Sequence, residues 1–417
     1  MNRRQRRKGR ALAPALLAAL ALAPALVPAA AAAAPLPRQP HTQPHTVADS
    51  SGDCTFPAAN IPGEPWSLQR VLLTELWQFA TGKGVTVAVI DTGVSDTNPQ
   101  LRDAVTPGPD YLTGQSGDSL TDPDGHGTMV AGIIAARQSS ATGFVGLAPD
   151  AQILSIRQND SQGDGTADTL AEAVDAAVAA HVGVINISQD VTENGKPVPV
   201  AANSNLARAV AKAVSANIVV VAAAGNEDLS LPTYPASLPG VLGVGASDRN
   251  NERDADFSET GSSVDVAAPG VDMVSTVPGG GQCVDSGTSF AAPYTAAVAA
   301  LLRQLHPDWT AAEIIARIEQ TAQRTDPGRN AFIGWGVVDP VAAVSDTAPP
   351  ASAAVPTPAT AGPVAPVQPR PLGLGETAAA REQRTAVYIL CLGALAVAIT
   401  AGTAIVLRDA RRRSTAA

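Results

Sequence analysis

The sequence predicts an α/β protein of three layers, in which helices cover both faces of a mainly parallel central sheet. Short, continuous apolar runs alternate with helical patterns from residue 84 onward, which is typical of parallel strands joined by crossover helices. The run at residues 85–90 is apolar apart from one threonine, as expected for a strand that is covered on both faces. Ligands of such sheets bind beyond the carboxyl ends of the strands. The polar residues that follow predicted strands are Asp91, Ser188 and Asn226.

The elements follow one another in a regular order. Strands are predicted at residues 85–90, 151–156, 182–188, 218–223, 241–246 and 264–266. Helices are predicted at residues 126–137, 169–181, 205–216, 288–306 and 310–323. The strands are short, mainly apolar runs bounded by turn residues, whereas the longer segments carry apolar residues at helical spacing. The main folded domain is therefore expected over residues 63–346.

The N-terminal end predicts a secretory signal peptide over residues 1–34. Six Arg or Lys residues lie within residues 2–10, an Ala- and Leu-rich run follows, and small residues fill positions 29–34. These are the three regions of a signal peptide, and an uncleaved anchor is the alternative. Residues 35–62 are polar and Pro-rich without periodicity, so they predict an extended arm that is too short to fold alone.

The C-terminal end predicts a membrane anchor. Residues 347–385 form a Pro- and Ala-rich linker of semi-rigid character, and residues 386–407 form an uncharged apolar run of 22 residues, long enough to cross a bilayer as a helix. A buried core helix is the alternative. Four arginines lie within residues 408–417, so this basic tail is expected in the cytoplasm and the main domain outside the cell. The signal peptide predicts the same single-pass orientation in the cell membrane.

Charge and cysteine content narrow the possible partners. The chain has a formal net charge of −10, and removing the +6 of residues 2–10 and the net +3 of residues 408–417 leaves −19 for the remainder. This charge argues against nucleic acid or anionic lipid as a ligand of the main domain. Cys391 lies inside the apolar run, so only Cys54 and Cys283 can meet in the oxidising exterior. We expect one disulfide between them, with two free thiols as the alternative.

Ser289 is the candidate nucleophile. It lies in a turn of small residues, 286–293, that runs directly into an apolar helical pattern. At the head of a helix, free backbone N–H groups and the positive end of the helix dipole can stabilise negative charge on a bound carbonyl oxygen. The alternative is an ordinary N-cap, in which the serine satisfies those N–H groups itself.

A nucleophilic serine needs a base and an acid that orients the base. Among five histidines, His126 lies between two glycines at the start of an apolar helix, where the backbone can approach a substrate closely. Asp91 ends the predicted strand 85–90 and is the candidate acid. Its Asp-Thr-Gly setting also occurs in aspartic proteases, but that mechanism needs a second carboxylate of the same kind, and the chain has one such motif.

The chain resembles the subtilisin-like serine proteases. The resemblance rests on the order Asp, His, Ser and on the motifs at residues 84–93, 122–137 and 285–300. The resemblance implies a subtilisin-like domain over residues 63–346 that acts as a serine endopeptidase on proteins or peptides through an acyl-enzyme, without a cofactor or metal. It also implies that Asn226 is the side-chain oxyanion donor, paired with the backbone N–H of Ser289. The residues implied to bind substrate are Ser188, Gln189, Asp190 and Gly225.

The resemblance narrows to the mycosins, the membrane-anchored subtilases of type VII secretion systems. Residues 148–150, 155–158 and 336–341 carry it, together with the Cys-bearing arm, the Pro-rich linker and the terminal apolar run. It implies proteolysis of a secretion-system substrate and association with a membrane complex. The alternative is a structural subunit that stabilises such a complex with little proteolytic turnover.

Two departures from the family pattern bear on specificity and activation. Subtilases generally continue Leu-Gly or Gly-Gly after Ser188, whereas this chain reads Gln189-Asp190, and Glu227 and Asp228 follow Asn226. Three carboxylates there predict a preference for basic or polar residues near the scissile bond. The alternative is that all three point to water and shape sets specificity. The arm is also too short for a folded pro-domain, so activation by its removal is not assumed.

Overall fold

The structure is a computed structural model that describes residues 54–112, 118–160, 165–193, 196–349, 351–355 and 378–414. The predicted signal peptide, residues 35–53 of the arm and most of the linker lie outside these ranges. The chain divides into two compact units, Met1–Thr357 and Pro358–Ala417, which are described separately.

A seven-stranded parallel sheet lies at the centre of the described part of the first unit. The strands of this unit, in chain order, are β1 (Thr86–Asp91), β2 (Val105–Asp110), β3 (Gln152–Arg157), β4 (Val184–Ile187), β5 (Thr192–Glu193), β6 (Lys196–Pro197), β7 (Val219–Ala223), β8 (Val241–Ser247), β9 (Val266–Pro269), β10 (Met273–Thr276) and β11 (Gln282–Asp285). The sheet order is β2-β3-β1-β4-β7-β8-β9, and every neighbouring pair is parallel. β5–β6 and β10–β11 form separate antiparallel pairs.

Helices cover both faces of this sheet. They are α1 (Trp66–Gln69), α2 (Leu73–Phe79), α3 (His126–Ala135), α4 (Ala167–Ala179), α5 (Asn205–Ser215), α6 (Thr288–Leu305), α7 (Ala311–Thr321) and α8 (Pro340–Ser345). Alternate side chains of β1 point to opposite faces, as the pleat requires. Val87 and Val89 join the core that includes α3 and α6, whereas Ala88 and Ile90 join the core that includes α4 and α5. The predicted three-layer α/β fold is confirmed.

The elements that the sequence pattern missed lie at edges and in short pairs. β2 carries Pro107 and Pro109, which lack backbone N–H groups, and it is an edge strand of the sheet, where proline is tolerated. β5–β6 and β10–β11 have strands of two to four residues, too short for a recognisable alternation. All three features therefore lacked the long apolar signal by which the buried strands were predicted.

The described end of the arm is fastened to β11. A disulfide joins Cys54 to Cys283 across a sequence separation of 229 residues. Ala58 N donates to Gly280 O at 3.0 Å, and Gln282 N donates to Ala59 O at 3.2 Å. The Phe56 ring lies against Gly125, directly before His126. The arm therefore packs beside the loop that carries the candidate base.

Loss of the disulfide should lower the free energy of unfolding by about 5 kcal/mol, because the bridge closes a loop of more than 200 residues in the unfolded chain. Because the bridge needs both sulfurs, we expect Cys54→Ser, Cys283→Ser and the double variant to lose the same amount. Urea unfolding in a Ser289→Ala background, which removes self-digestion, measures this. The expectation would be contradicted if the stability losses of the two single variants summed in the double variant. A loss of less than about 1 kcal/mol in each variant would also contradict it.

The second unit contains one long helix among its described residues, α9 (Ala378–Ser414). Its apolar window has a mean hydropathy of 2.4, and large side chains such as Leu390 are exposed. The helix includes all of residues 386–407, the predicted span, and ends in arginines. Its length and composition fit a single-pass membrane anchor.

Candidate active site

The three candidate catalytic residues lie where secondary-structure elements begin or end. Asp91 is the last residue of β1, His126 is the first residue of α3, and Ser289 is the second residue of α6. α3 and α6 pack against each other and join the same core face. The fold therefore gathers residues that are up to 198 positions apart in the sequence at one edge of the sheet.

Asp91 holds the imidazole of His126 in one orientation. His126 Nδ1 lies 2.7 Å from Asp91 Oδ1, which also accepts a hydrogen bond from Thr92 N at 2.8 Å. The Asp91 side chain is 2% exposed, whereas that of His126 is 28% exposed. Because an ionised carboxylate only accepts hydrogen bonds, Nδ1 must donate. This leaves Nε2 of the neutral ring as the acceptor that can take a proton.

Gly127 is what allows this close approach. A Cβ at this position would lie 2.0 Å from Gly93 O and 3.1 Å from Asp91 Cβ. Any side chain here would push α3 away from the end of β1. The glycines that the sequence places on both sides of His126 therefore have a packing reason as well as a conformational one, since Gly125 has a φ of +79°.

A second buried aspartate, Asp122, organises the loop before His126 and was not identified from the sequence. Its Oδ1 accepts from Gly125 N (2.9 Å) and Thr92 Oγ1 (2.8 Å), and its Oδ2 accepts from Thr128 N (2.8 Å) and Thr128 Oγ1 (2.5 Å). Burial raises the pKa of Asp122 to about 6, against the effect of these hydrogen bonds. An aspartate shortly before an apolar helix is a typical capping signal, and it could have indicated this role.

Ser289 lies at the N-terminus of α6, and its exposed fraction is 7%. As the second helical residue it has a backbone N–H without a partner inside the helix. No hydrogen bond joins Ser289 Oγ to His126 in this structure, although the ring of the adjacent Phe290 lies 5.3 Å from the His126 ring, centroid to centroid. Such catalytic hydrogen bonds are often long before substrate binds and tighten in the complex.

Asn226 follows β7 and faces the start of α6. Its Oδ1 accepts hydrogen bonds from Thr288 N at 2.9 Å and Thr288 Oγ1 at 3.0 Å. Since Thr288 N can only donate, the atom of the Asn226 amide that faces it is the oxygen, Oδ1. Nδ2 therefore points away from Thr288 N. A Cβ on Gly287 would lie 3.0 Å from Ser289 Oγ and 3.6 Å from Asn226 Nδ2. Both groups therefore border the same small space beside Gly287.

The residues expected to bind substrate lie along one edge beside Asn226. Ser188 is buried and accepts a hydrogen bond from Asn186 Nδ2 at 2.8 Å, and the Gln189 amide donates to Gln158 Oε1. Within the described part of the chain, the backbone N–H of Gln189 donates to no backbone carbonyl, and that of Asp190 bonds only to its own carboxylate. This edge can therefore pair with an extended peptide. Gly225 is buried with a φ of +108°, and its backbone bonds to Thr288.

The structure rearranges the three carboxylates that the sequence placed near the pocket. Asp228 forms an ion pair with Arg253 at 2.8 Å and is half-exposed, so its charge is already partnered by a cation of the same chain. Glu259, which the sequence did not single out, lies beside Glu227 and is fully buried. Its Oε1 accepts from Glu227 N at 3.3 Å, and its Cγ lies against Gly225. Glu259 follows no apolar pattern and lies 32 residues from Glu227, so only the fold brings the two together.

The site favours proton acceptance by His126 at alkaline pH. Burial opposes a charged imidazole, but the charge of Asp91 and its hydrogen bond, followed by the charges of Asp285 and Asp122, raise the pKa of His126 to about 9. A general base must be neutral, so the active fraction rises with pH. The described residues contain no group of His, Cys, Asp and Glu side chains that could hold a metal ion.

We therefore expect kcat/KM for an uncharged peptide substrate to keep rising between pH 7 and pH 9, the range set by the pKa of His126. Asp91→Asn should move the rise toward the ordinary histidine pKa of about 6.5 and lower the rate. Stopped-time assays across this range measure both effects. A plateau that is complete by pH 7 in the unaltered protein would contradict the prediction.

Comparison with known proteins agrees with this geometry. The model of the subtilase family matches residues 82–336. Mycosin-1 of Mycobacterium tuberculosis is 36% identical over 394 residues, which cover 82% of this chain and 86% of mycosin-1. Subtilisin E of Bacillus subtilis is 40% identical over 284 residues, which cover 67% of this chain and 71% of subtilisin E.

Solved structures give the same result. The crystal structure of MycP1 with its N-terminal propeptide removed matches with a TM-score of 0.63 at 35% identity, covering 69% of this chain and 99% of that one. A chain in the structure of the periplasmic assembly from the ESX-5 inner membrane complex matches with a TM-score of 0.64 at 32% identity, covering 76% of this chain and 92% of that one. The chain belongs to the subtilase family of serine endopeptidases and is related to the mycosins of type VII secretion.

Proposed function

We propose that this chain is a membrane-anchored, extracellular endopeptidase that hydrolyses peptide bonds through Asp91, His126 and Ser289 and acts with a type VII secretion system. The observation that carries the catalytic part is the 2.7 Å contact between His126 and Asp91 on the same edge as Ser289 and Asn226. A scaffold protein has no need for a base, an orienting acid, a nucleophile and an oxyanion donor together.

Each residue has one chemical role. Ser289 Oγ attacks the carbonyl carbon of the scissile peptide bond while its proton passes to His126 Nε2. The resulting imidazolium is stabilised by Asp91, and it then gives the proton to the leaving amine as the C–N bond breaks. Water repeats the sequence on the ester: it loses a proton to His126, attacks the carbonyl carbon and releases the acid product and the free Ser289 hydroxyl.

The oxyanion is stabilised by two donors. In each tetrahedral intermediate the carbonyl oxygen becomes negatively charged, and the space beside Gly287 lies between Ser289 and Asn226 Nδ2. Asn226 is held by Thr288 through its Oδ1, so its amide is oriented before substrate arrives. The N–H of Ser289 adds the second donor, helped by the dipole of α6.

The membrane and partner parts of the proposal come from the ends of the chain and from its relatives. Residues 1–34 serve as signal peptide, 35–62 as arm, 63–346 as peptidase domain, 347–385 as linker, 386–407 as membrane span and 408–417 as cytoplasmic tail. The arginines after the apolar window support this orientation by the positive-inside rule. The match to a chain in the ESX-5 inner membrane complex supports association with such an assembly, in which a structural role accompanies catalysis.

A fluorophosphonate probe tests the catalytic part directly. This reagent phosphonylates a serine only when the serine is activated, so detergent-extracted protein should be labelled, whereas Ser289→Ala should not. Ser286→Ala is a matched control, because Ser286 lies three residues away and its hydroxyl accepts a hydrogen bond from Asp272 N at 2.9 Å. Absence of labelling in the unaltered protein would favour a structural subunit instead, whereas equal labelling of Ser289→Ala would mean that another serine is the nucleophile.

A further inference from the structure

The segment that carries Asn226 is held by a second segment that lies beside it. Three backbone hydrogen bonds, of 2.8, 3.3 and 2.9 Å, join residues 257–260 to residues 225–229, which we call the oxyanion segment. Thr288, at the start of α6, holds the side chain of Asn226 through Oδ1. The oxyanion segment is therefore supported by two separate parts of the fold.

Glu259 is the residue of the second segment whose side chain turns toward the oxyanion segment. Its exposed fraction is 0%, and its Oε1 accepts a hydrogen bond from Glu227 N at 3.3 Å. Its Cγ lies 2.9 Å from the position that a Cβ on Gly225 would occupy. A side chain at position 225 would therefore push Glu259 away, and glycine there lets the two segments pack closely.

The Glu227 carboxyl connects Glu259 to Asn226. Glu227 Oε2 accepts a hydrogen bond from Asn226 N at 3.0 Å, and the same carboxyl is hydrogen-bonded to the carboxyl of Glu259. Two carboxyl groups share a hydrogen bond only when one of them carries a proton. Glu259 Oε2 is buried and accepts no hydrogen bond from the described residues, so we assign the proton to this atom, which donates to Glu227.

The surroundings of Glu259 favour its neutral form. Burial, followed by the hydrogen bond with Glu227 and the charge of Glu227, raises the pKa of Glu259 above its usual range. Arg253, whose guanidinium bonds to the carbonyl of Ser258, is engaged by Asp228 at 2.8 Å. A neutral Glu259 donates to the Glu227 carboxylate, whereas a charged one would repel it.

We propose that Glu259 is a positioning residue that, through Glu227, fixes the backbone of Asn226 so that Nδ2 meets the oxyanion. This inference rests on the proposed function, because it takes Asn226 as the oxyanion donor. Thr288 orients the Asn226 side chain, but Gly225 before it restricts the backbone little, so the backbone needs its own anchor. A donor that is fixed before substrate arrives needs no reorganisation during the reaction.

Glu259→Leu tests this inference. Leucine keeps most of the volume but can neither accept from Glu227 N nor donate to the Glu227 carboxyl. We expect kcat for an uncharged peptide substrate to fall about tenfold or more, up to the 10²- to 10³-fold of losing the donor itself, with KM changed less than about twofold. Urea unfolding of the same variant measures its stability separately.

Two further variants make the comparison specific. Glu259→Gln should keep kcat within about threefold of the unaltered protein, because the amide oxygen can accept from Glu227 N and the amide nitrogen can donate in place of the acid proton. Glu252→Leu makes the same change as Glu259→Leu at an exposed acid earlier in the chain, and it should leave kcat unchanged.

Coupling to Asn226 separates positioning from a purely structural role. In an Asn226→Asp background no donor remains to be positioned, so Glu259→Leu should cost no further kcat. Glu227→Leu, which alters the half-buried member of the pair, should behave in the same way and takes the place of Glu259→Leu if that variant does not fold. Losses that multiply in the double variant, or a Glu259→Gln variant as slow as Glu259→Leu, would overturn the inference.

The same assays, on the detergent-extracted full chain, distinguish this inference from the proposal beneath it. If Asn226→Asp alone loses no kcat, the oxyanion assignment and the positioning role fall together. If Asn226→Asp loses kcat but neither Glu259→Leu nor Glu227→Leu does, Asn226 remains the donor and only the positioning role is wrong.

Discussion

Replacing Ser289 with alanine is expected to abolish turnover while leaving the fold intact. Ser289 Oγ forms no hydrogen bond that the described structure needs, and alanine already occupies the next two positions after Phe290 in α6. In subtilisin, loss of the serine or the histidine costs about 2 × 10⁶-fold in kcat. We expect a loss near this size for Ser289→Ala and for His126→Ala, because both side chains act on the transition state rather than in the core.

The combination of the two changes gives the sharper test. Residues that act as one unit are not additive, so the double variant Ser289→Ala, His126→Ala should be no slower than either single variant. Steady-state assays with one peptide substrate measure the loss of kcat. Urea unfolding midpoints of the same variants measure any loss of stability. If either single variant retains more than a few per cent of the activity, the residue that it replaces is not part of the catalytic mechanism.

The architecture was predictable because the sheet is buried on both faces. β1, β4 and β7 are almost fully buried, so their sequences are mainly apolar runs that stand out without any other information. β2 was missed because an exposed edge strand with two prolines resembles a loop in sequence. Local signals thus identify the central strands and the helices, and they fail where tertiary pairing alone defines an element.

The same division applies to the site. Asp91, His126 and Ser289 carry local signals: a strand end, two flanking glycines and a small-residue turn before a helix. Asp122 and Glu259 do not, since their roles depend on partners that only the fold supplies, such as Thr92 for Asp122 and Gly225 for Glu259. Asp228 shows the opposite case, because its position after Glu227 suggested a pocket residue, whereas its partner Arg253 is supplied only by the fold.

Replacing Asn226 with aspartate is expected to lower kcat by about 10²- to 10³-fold with little change in KM, the loss known for removing one oxyanion donor from subtilisin. Aspartate keeps an oxygen where Asn226 Oδ1 accepts from Thr288 N and Oγ1, so the start of α6 retains its support. It replaces the Nδ2 donor with a negatively charged acceptor, which can only oppose charge on the carbonyl oxygen. An interaction made only in the transition state lowers kcat and kcat/KM together.

Thr288→Val provides the matched comparison for this prediction. It removes the hydroxyl that donates to Asn226 Oδ1 at 3.0 Å but keeps the bond from Thr288 N at 2.9 Å, so the amide stays oriented by one contact instead of two. The hydroxyl also bonds to Gly225. If Asn226 acts as a donor, Thr288→Val should lose far less kcat than Asn226→Asp. Equal losses in the two variants would contradict the donor role of Asn226, since removing Nδ2 would then cost no more than removing one of the two contacts that orient the side chain.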